Sequence, residues 1–175
     1  MKQARKIEVV DYDPTWPVQF NALKSRLEPI LQEICVSIEH IGSTSVPNLA
    51  AKPVIDVLLE VTSLTELDKK TLCLTALGLK AKGEKGIPGR RYFQVGGNER
   101  THHVHSFKTG SEQLLFHRAF CAYLRAHPPI ACEYAQVKRN AALNCHHDSI
   151  QYMALKNDFI QTQMPLAIAW FKSNT

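Results

Sequence analysis

The sequence has no apolar run long enough to span a bilayer, no CxxC pair and no dense block of one charge. The first absence argues against a transmembrane helix. Its cysteines, Cys35, Cys73, Cys121, Cys132 and Cys145, are odd in number and widely scattered. Such usage argues against a disulfide framework and suits a reducing compartment. Residues Met1 to Lys6 lack the apolar core of a secretory signal, so a cytoplasmic protein is expected. Internal repeats, low-complexity tracts, zinc-finger spacings and interleaved basic and aromatic residues are also missing. Sequence-specific nucleic-acid recognition is therefore not the expected role.

What is present is ordinary globular material: 175 residues, 45% hydrophobic and 21% charged. A chain of this size buries roughly two-thirds of its unfolded surface and folds without disulfides. The formal charge of +5 is compatible with an anionic ligand, although the cations are spread along the chain.

Ile7 to Tyr12 alternates as a strand would, and Asp13-Pro14 breaks it. Thr15 is placed to cap a helix whose apolar stripe is Trp16, Phe20, Leu23, Leu27, Ile30 and Leu31. Cys35 to Ile41 reads as a strand ending at Gly42-Ser43-Thr44-Ser45, and Val46 to Lys52 reads as a loop. Val54 to Val61 is the clearest buried strand. Thr62 or Ser63 caps a helix running to about Leu77, stopped by Gly78. After a basic loop over Gly83 to Gly89 come two strands, Tyr92 to Val95 and His102 to Phe107, joined by a Gly96-Gly97 turn. Glu112 to Thr175 is helical in pattern, with interruptions at His127-Pro128-Pro129 and near Cys145-His146-His147. The expected architecture is one α+β domain over residues 1–175, with a mixed β-sheet core in 1–110 and a C-terminal helical block in 111–175.

A strand that ends in Gly-Ser offers backbone N–H groups and hydroxyls to an anion. Gly42 allows close approach, and Ser43, Thr44 and Ser45 supply hydroxyls. Asp56 follows on the next strand, where a carboxylate can hold a divalent metal beside a phosphate. In an apolar strand, an unpaired carboxylate is expensive, so the alternative is a buried ion pair, with Lys52 as one partner. His103 and His105 share one strand face, a spacing suited to metal ligation or phosphate contact. His40 is expected to brace the turn, His102 to face the other way, and Asp148 to cap a helix. Lys52, Arg91, Lys138 and Lys156 are the candidate phosphate-binding cations. Tyr134 with Lys138, and Tyr152 with Lys156, each share a helix face at i, i+4. The cysteines lack activating neighbours and are expected to be small core residues.

The stretch Ile38-Glu39-His40-Ile41-Gly42-Ser43-Thr44-Ser45-Val46-Pro47, followed by Ala51-Lys52-Pro53-Val54-Ile55-Asp56-Val57, resembles the signature of the GrpB family. Trp16, Phe20, His103-Val104-His105 and Tyr123-Leu124-Arg125-Ala126-His127-Pro128 extend the resemblance over nearly the whole chain. It implies a nucleotidyltransferase-like fold similar to the polymerase-β palm, and binding of a nucleotide or another phosphorylated small molecule. It also implies a divalent metal (Mg, Mn or Zn) with Asp56 as the catalytic carboxylate; His103 and His105, by their shared strand face, are the expected further metal ligands. Two departures accompany it. Val54 stands where the superfamily places a first carboxylate, and no Asp or Glu matches the expected third. Asn48 and Cys121-Ala122 replace a usual Gly and a frequent Arg-Asp pair; Arg118 or Arg125 would have to supply the missing contact. Relatives fused to dephospho-coenzyme A kinase imply the alternative of a non-catalytic nucleotide- or coenzyme-A-related accessory module.

Overall fold

The computed structural model describes residues 6–175, so the reading of Met1 to Arg5 as lacking a leader lies outside the described residues. Helix α1 (Trp16–Leu31) opens with Pro17 in its first turn and buries Trp16, Phe20, Leu23, Leu27 and Leu31. Those positions recur every three or four residues, so one stripe meets the sheet. Strand β1 (Cys35–Ile41) leads through a single 3-10 turn at Ser43–Ser45 toward β2 (Ile55–Val61). Helices α2 (Leu64–Lys69) and α3 (Thr71–Ala76) follow, then β3 (Leu79–Ala81), β4 (Arg90–Val95) and β5 (His102–Lys108). The chain ends in α4 (Glu112–Ala126), α5 (Pro128–Asn144) and α6 (Ser149–Asn174).

The five strands form one mixed sheet in the order β1-β2-β5-β4-β3. The β2/β5 pair is parallel, and the other pairs are antiparallel. Because side chains alternate across a strand, each strand contributes to two different layers. Ile55, Val57, Leu59 and Val61 pack with Val104, Phe93, Leu67 and the α1 stripe in the largest core. On the opposite face, Leu58 and Phe107 meet Ile41 and the α4 residues Leu114 and Cys121. The fold is thus an α+β mixed sheet with helices and a C-terminal helical block. The helices cover both faces, α1 to α3 on one and α4 on the other. No described helix is long and apolar enough to cross a membrane.

The differences from the expected elements are local. Ile7 to Tyr12 does not join the sheet; it makes only a lone antiparallel bridge, Val10 to Ala51. Its alternation arises because Ile7 is buried against Ala141, Cys145 and Tyr152 of the helical block. Thr15 makes no side-chain cap; instead, the Asp13 carboxylate accepts from its backbone N–H at 2.8 Å. The helix expected to run unbroken to Leu77 is split at Lys70, where the Thr71 hydroxyl donates to the Asp68 carbonyl at 2.7 Å. A hydroxyl of that kind competes with the helical backbone ladder. Ser63 caps α2 as anticipated, accepting from the Glu66 N–H, and Asp148 caps α6 by accepting from the N–H groups of Ile150 and Gln151. Strand β3 was not legible, since three residues with one buried side chain carry no period. Cys121 and Cys145 are buried, but Cys73 and Cys132 are exposed, which corrects the expectation of five core cysteines.

Candidate functional site

The site forms where β1 ends beside β2 and β5. The register pairs Ile41 with Asp56, and Asp56 with His103, so three adjacent strands deliver their side chains to one sheet face. The β5/β4 register adds Tyr92 opposite His105 and Gln94 opposite His103 on that face.

Gly42 turns the chain at φ 69° immediately after β1. A Cβ at this position would lie 2.6 Å from Oδ2 of Asp56, so only glycine lets the turn close over the carboxylate. Asp56 Oδ1 accepts from His105 Nε2 at 3.1 Å and lies 3.5 Å from His103 Nδ1. Burial alone would raise the Asp56 pKa, but the two imidazoles outweigh it and hold the carboxyl far below the usual carboxylate range. Burial pushes His103 down despite Asp56, and its Nε2 is buried without a partner among the described residues.

The hydroxyls of the turn separate into different roles. Thr44 is 1% exposed, and its hydroxyl meets His40 Nε2 at 2.9 Å, so it is structural and does not face a ligand. The His40 ring stacks on Phe20, which confirms the bracing role; burial first, then Arg125, lowers its pKa to about 4. Ser45 donates to the Gly42 carbonyl at 2.7 Å and accepts from Arg125 Nη2 at 2.9 Å. It too is committed to the turn. Ser43 is half-buried and lies close enough to the Tyr134 hydroxyl of α5 to oppose the rise that burial imposes on the tyrosine's pKa. Of the three hydroxyls, Ser43 is therefore the one turned toward α5.

That contact brings in the predicted cations. Lys138 is 2% exposed; it donates to the Ala50 carbonyl and lies 4.5 Å from the Tyr134 ring centre. Burial, then the positive charges of Lys156 and Arg139, push its pKa down to about 6. Lys52 and Lys156 hold their ammonium groups over the Tyr152 ring at 4.5 and 5.1 Å. Burial lowers Lys156, and Asp56 opposes that shift. Both i, i+4 pairs thus face inward, Tyr134 and Lys138 beside the turn and Tyr152 in the cluster with Ile7, Ala141 and Cys145.

Arg91 is the exception. Arg90 and Arg91 open β4, and the strand's alternation sends them to opposite faces. Arg91 makes a bidentate pair with Asp68 of α2, at 2.7 and 2.9 Å, on the face covered by α1 and α2. It is not part of the site. Arg90 takes the place intended for it, with Nη1 3.5 Å from His105 Nδ1. His102 reaches Gln19 of α1, on the face away from Asp56, as expected. His117 was not foreseen. Its ring centre lies 5.4 Å from that of His105, and burial, then His105, pushes its pKa down to about 4. Its position on α4 shows no signal in the sequence, because only α4 packing over β5 brings it near.

The departures noted above also resolve. Val54 is 5% exposed and supplies no charge to the site. Asn48 adopts φ 64°, the left-handed conformation a glycine would take. Cys121 occupies the space behind the turn, with its sulfur 3.1 Å from the Gly42 N–H. Arg125 grips Ser45, whereas Arg118 pairs with Glu39 and Glu60 (Nη2 to Glu60 Oε2, 2.6 Å) deeper on the same face.

Asp56, His103 and His105 each present one ligand atom, all within 4.8 Å of one another. Two imidazole nitrogens and one carboxylate oxygen are a donor set found in three-ligand metal sites with an open position. The residues therefore fit a single divalent ion. Among the described residues, no second carboxylate joins this group.

A family model described as GrpB protein matches residues 6–165. The YqkA protein of Bacillus subtilis (strain 168) is 46% identical over 169 residues, covering 96% of this chain and 49% of that protein. A dephospho-CoA kinase of Mycolicibacterium paratuberculosis is 28% identical over 192 residues, covering 95% of this chain and 47% of that protein. The chain thus spans about half the length of these two relatives. Among solved structures, GrpB from Enterococcus faecalis superposes with a TM-score of 0.88 at 42% identity, over 94% of this chain and 99% of that one. The Cid1 poly(U) polymerase superposes with a TM-score of 0.50 at 11% identity, over 75% of this chain and 45% of that one, a likeness of fold alone. On the extent of the family match and of the Enterococcus superposition, this chain belongs to the GrpB family.

Proposed function

We propose that this protein binds a phosphate-bearing small molecule, a nucleotide, beside the Gly42-Ser43 turn and Asp56. The observation that carries the reading is the way Gly42 closes on Asp56, with Lys138 held against the Tyr134 ring near Ser43 and Lys156 close enough for Asp56 to act on its charge. A turn built around a carboxylate and lined by lysines suits a phosphate and a cation together. Asp56, His103 and His105 would hold one divalent metal, which supplies Lewis acidity toward a phosphoryl oxygen when bound. The imidazoles favour Zn²⁺ or Mn²⁺ over Mg²⁺.

The chain's own residues divide the remaining work. Ser43 orients a phosphate oxygen. Lys156 and Lys52 offset its charge. Lys138, held neutral by burial, gains a proton when an anion arrives beside it. With these parts, metal-dependent nucleotidyl or phosphoryl transfer is the reaction class the site supports.

A second reading is favoured by Val54: with an apolar side chain in place of an acid, a two-metal mechanism lacks a ligand. The chain would then be a nucleotide- or coenzyme-A-related accessory module, in keeping with its likeness to part of a dephospho-CoA kinase. Calorimetry with Zn²⁺, Mn²⁺ and Mg²⁺ and a nucleotide panel tests both readings. Binding lost in Asp56→Asn and in His103→Ala/His105→Ala supports the site, and unchanged binding rejects it. Turnover of labelled nucleoside triphosphate separates the enzyme from the module.

A further inference from the structure

On the side of Asp56 away from the helical lysines, three cations gather around Tyr92. Lys85 Nζ and the Arg90 guanidinium carbon each lie 4.9 Å from its ring centre. Gln94, 5% exposed, has its amide orientation set by its donor neighbours. With the oxygen toward them, it accepts from Lys85 Nζ at 3.2 Å, Arg100 Nη1 at 3.2 Å and the Tyr92 hydroxyl at 3.3 Å. Arg90 otherwise spends its donors on the backbone carbonyls of Glu84 and Lys85. Among the described residues, none of the three cations forms an ion pair with a carboxylate. Among the described residues, Arg100 Nε is also buried with no hydrogen-bond partner.

Like charges held together without a counter-charge repel, and an unpartnered buried guanidinium N–H is costly. An aromatic face and one neutral amide offset part of this but bring no negative charge. Arg91, one residue from Arg90, is fully paired with Asp68 on the other face, so carboxylates are not scarce in this region. The cluster adjoins the Asp56 site: Arg90 faces His105, and the positive charge of Arg100 acts on His103.

We infer that Lys85, Arg90 and Arg100 form a second anion subsite, on the opposite side of Asp56 from Ser43 and Lys156. The ligand class is therefore a small molecule carrying at least two anionic groups, such as a nucleoside polyphosphate. That choice of class rests on the phosphate reading given above; the subsite itself rests on the unpaired cations. A phosphate here would accept from Arg100 Nε and the Lys85 ammonium, with Arg90 offsetting its remaining charge. Tyr92 and Gln94 fix the spacing of the three cations.

The test titrates the full chain with inorganic tripolyphosphate and with orthophosphate. It follows heat and the Arg100 Nε–Hε resonance by NMR, in wild type, Arg100→Gln, Lys85→Met and Ser43→Ala/Lys156→Met. Tripolyphosphate is expected to bind at least tenfold more tightly than orthophosphate and to shift the Arg100 resonance. Each single variant on this side should lose about tenfold for tripolyphosphate, the scale of one charge-assisted hydrogen bond. Lys85 is exposed, so its variant gives a result even if Arg100→Gln folds poorly. Equal binding of the two anions, or undiminished tripolyphosphate binding in Lys85→Met and Arg100→Gln, overturns the subsite. The phosphate site at Ser43 survives that result if orthophosphate still binds and Ser43→Ala/Lys156→Met abolishes it. Conversely, tripolyphosphate binding that depends on Arg100 but not on Ser43 and Lys156 upholds the subsite and removes the Ser43 reading.

Discussion

The Cβ that Gly42 lacks would stand 2.6 Å from Oδ2 of Asp56, so the turn and the carboxylate occupy one shared volume. At φ 69°, the same residue also sits where an L side chain is strained. Gly42→Ala therefore faces two penalties and should cost about 2 kcal/mol or more, read as a shift of the urea midpoint. Asp56→Ala removes the nearer contact. The double variant should thus be more stable than the two single losses predict; strict additivity would mean the two residues do not compete for space.

Stability should rise with pH between about 6 and 10 because of Lys138. Its folded pKa, about 6, lies below the ordinary lysine value, so the unfolded chain binds the extra proton. Its contribution is complete above the unfolded value and is lost as pH falls through the folded one. Lys138→Met should flatten this slope in denaturation series at pH 6, 8 and 10. An unaltered slope would show that Lys138 is charged in the fold.

Acid should act through His40 and His117 in the same direction. Both are lowered to about 4 by burial first, so each stabilises above the ordinary histidine value and that stability fades toward pH 4. His117→Phe should hold its melting temperature better than wild type between pH 6 and 4. A parallel decline in both proteins would refute the assignment.

Arg118 bridges Glu39 and Glu60, and the Glu60 side chain is only 10% exposed. Arg118→Met strands that carboxylate and should cost about 3 kcal/mol in chemical denaturation. Removing the charge as well, in Arg118→Met/Glu60→Gln, should restore part of the loss.

Arg91→Ala is the contrasting case. Its partner Asp68 is half-exposed, so the pair should contribute no more than about 1 kcal/mol. Anion binding should be unchanged, since the side chain lies on the far face. Weakened binding would place Arg91 back in the site.

The locations of Gly42, Ser43, Asp56, His103 and His105 were legible because each signal is local. A strand ending in Gly-Ser, a lone acid in an apolar strand and a His-x-His alternation survive in one dimension. Arg91 was misplaced because the expected strand began only at Tyr92 and so gave it no face; the start of β4 at Arg90 fixes which of the two arginines turns toward His105. Thr44 and Ser45 were legible as hydroxyls but not as spent ones, because their partners His40 and Arg125 depend on packing.

By itself, the sequence determined the strands and helices that carry strong periods, the GrpB resemblance and the loss of the acid at Val54. These follow from hydrophobic spacing and residue chemistry, which need no partner in space. The tertiary structure decided that helices cover both sheet faces and that α5 and α6 bring Lys138 and Lys156 to the turn. It also decided that Arg100 and Lys85 meet at Gln94 beside the histidines with no ion pair among the described residues. Those outcomes depend on strand register and on contacts between residues far apart in the chain, and charge balance at a site is a property of such contacts.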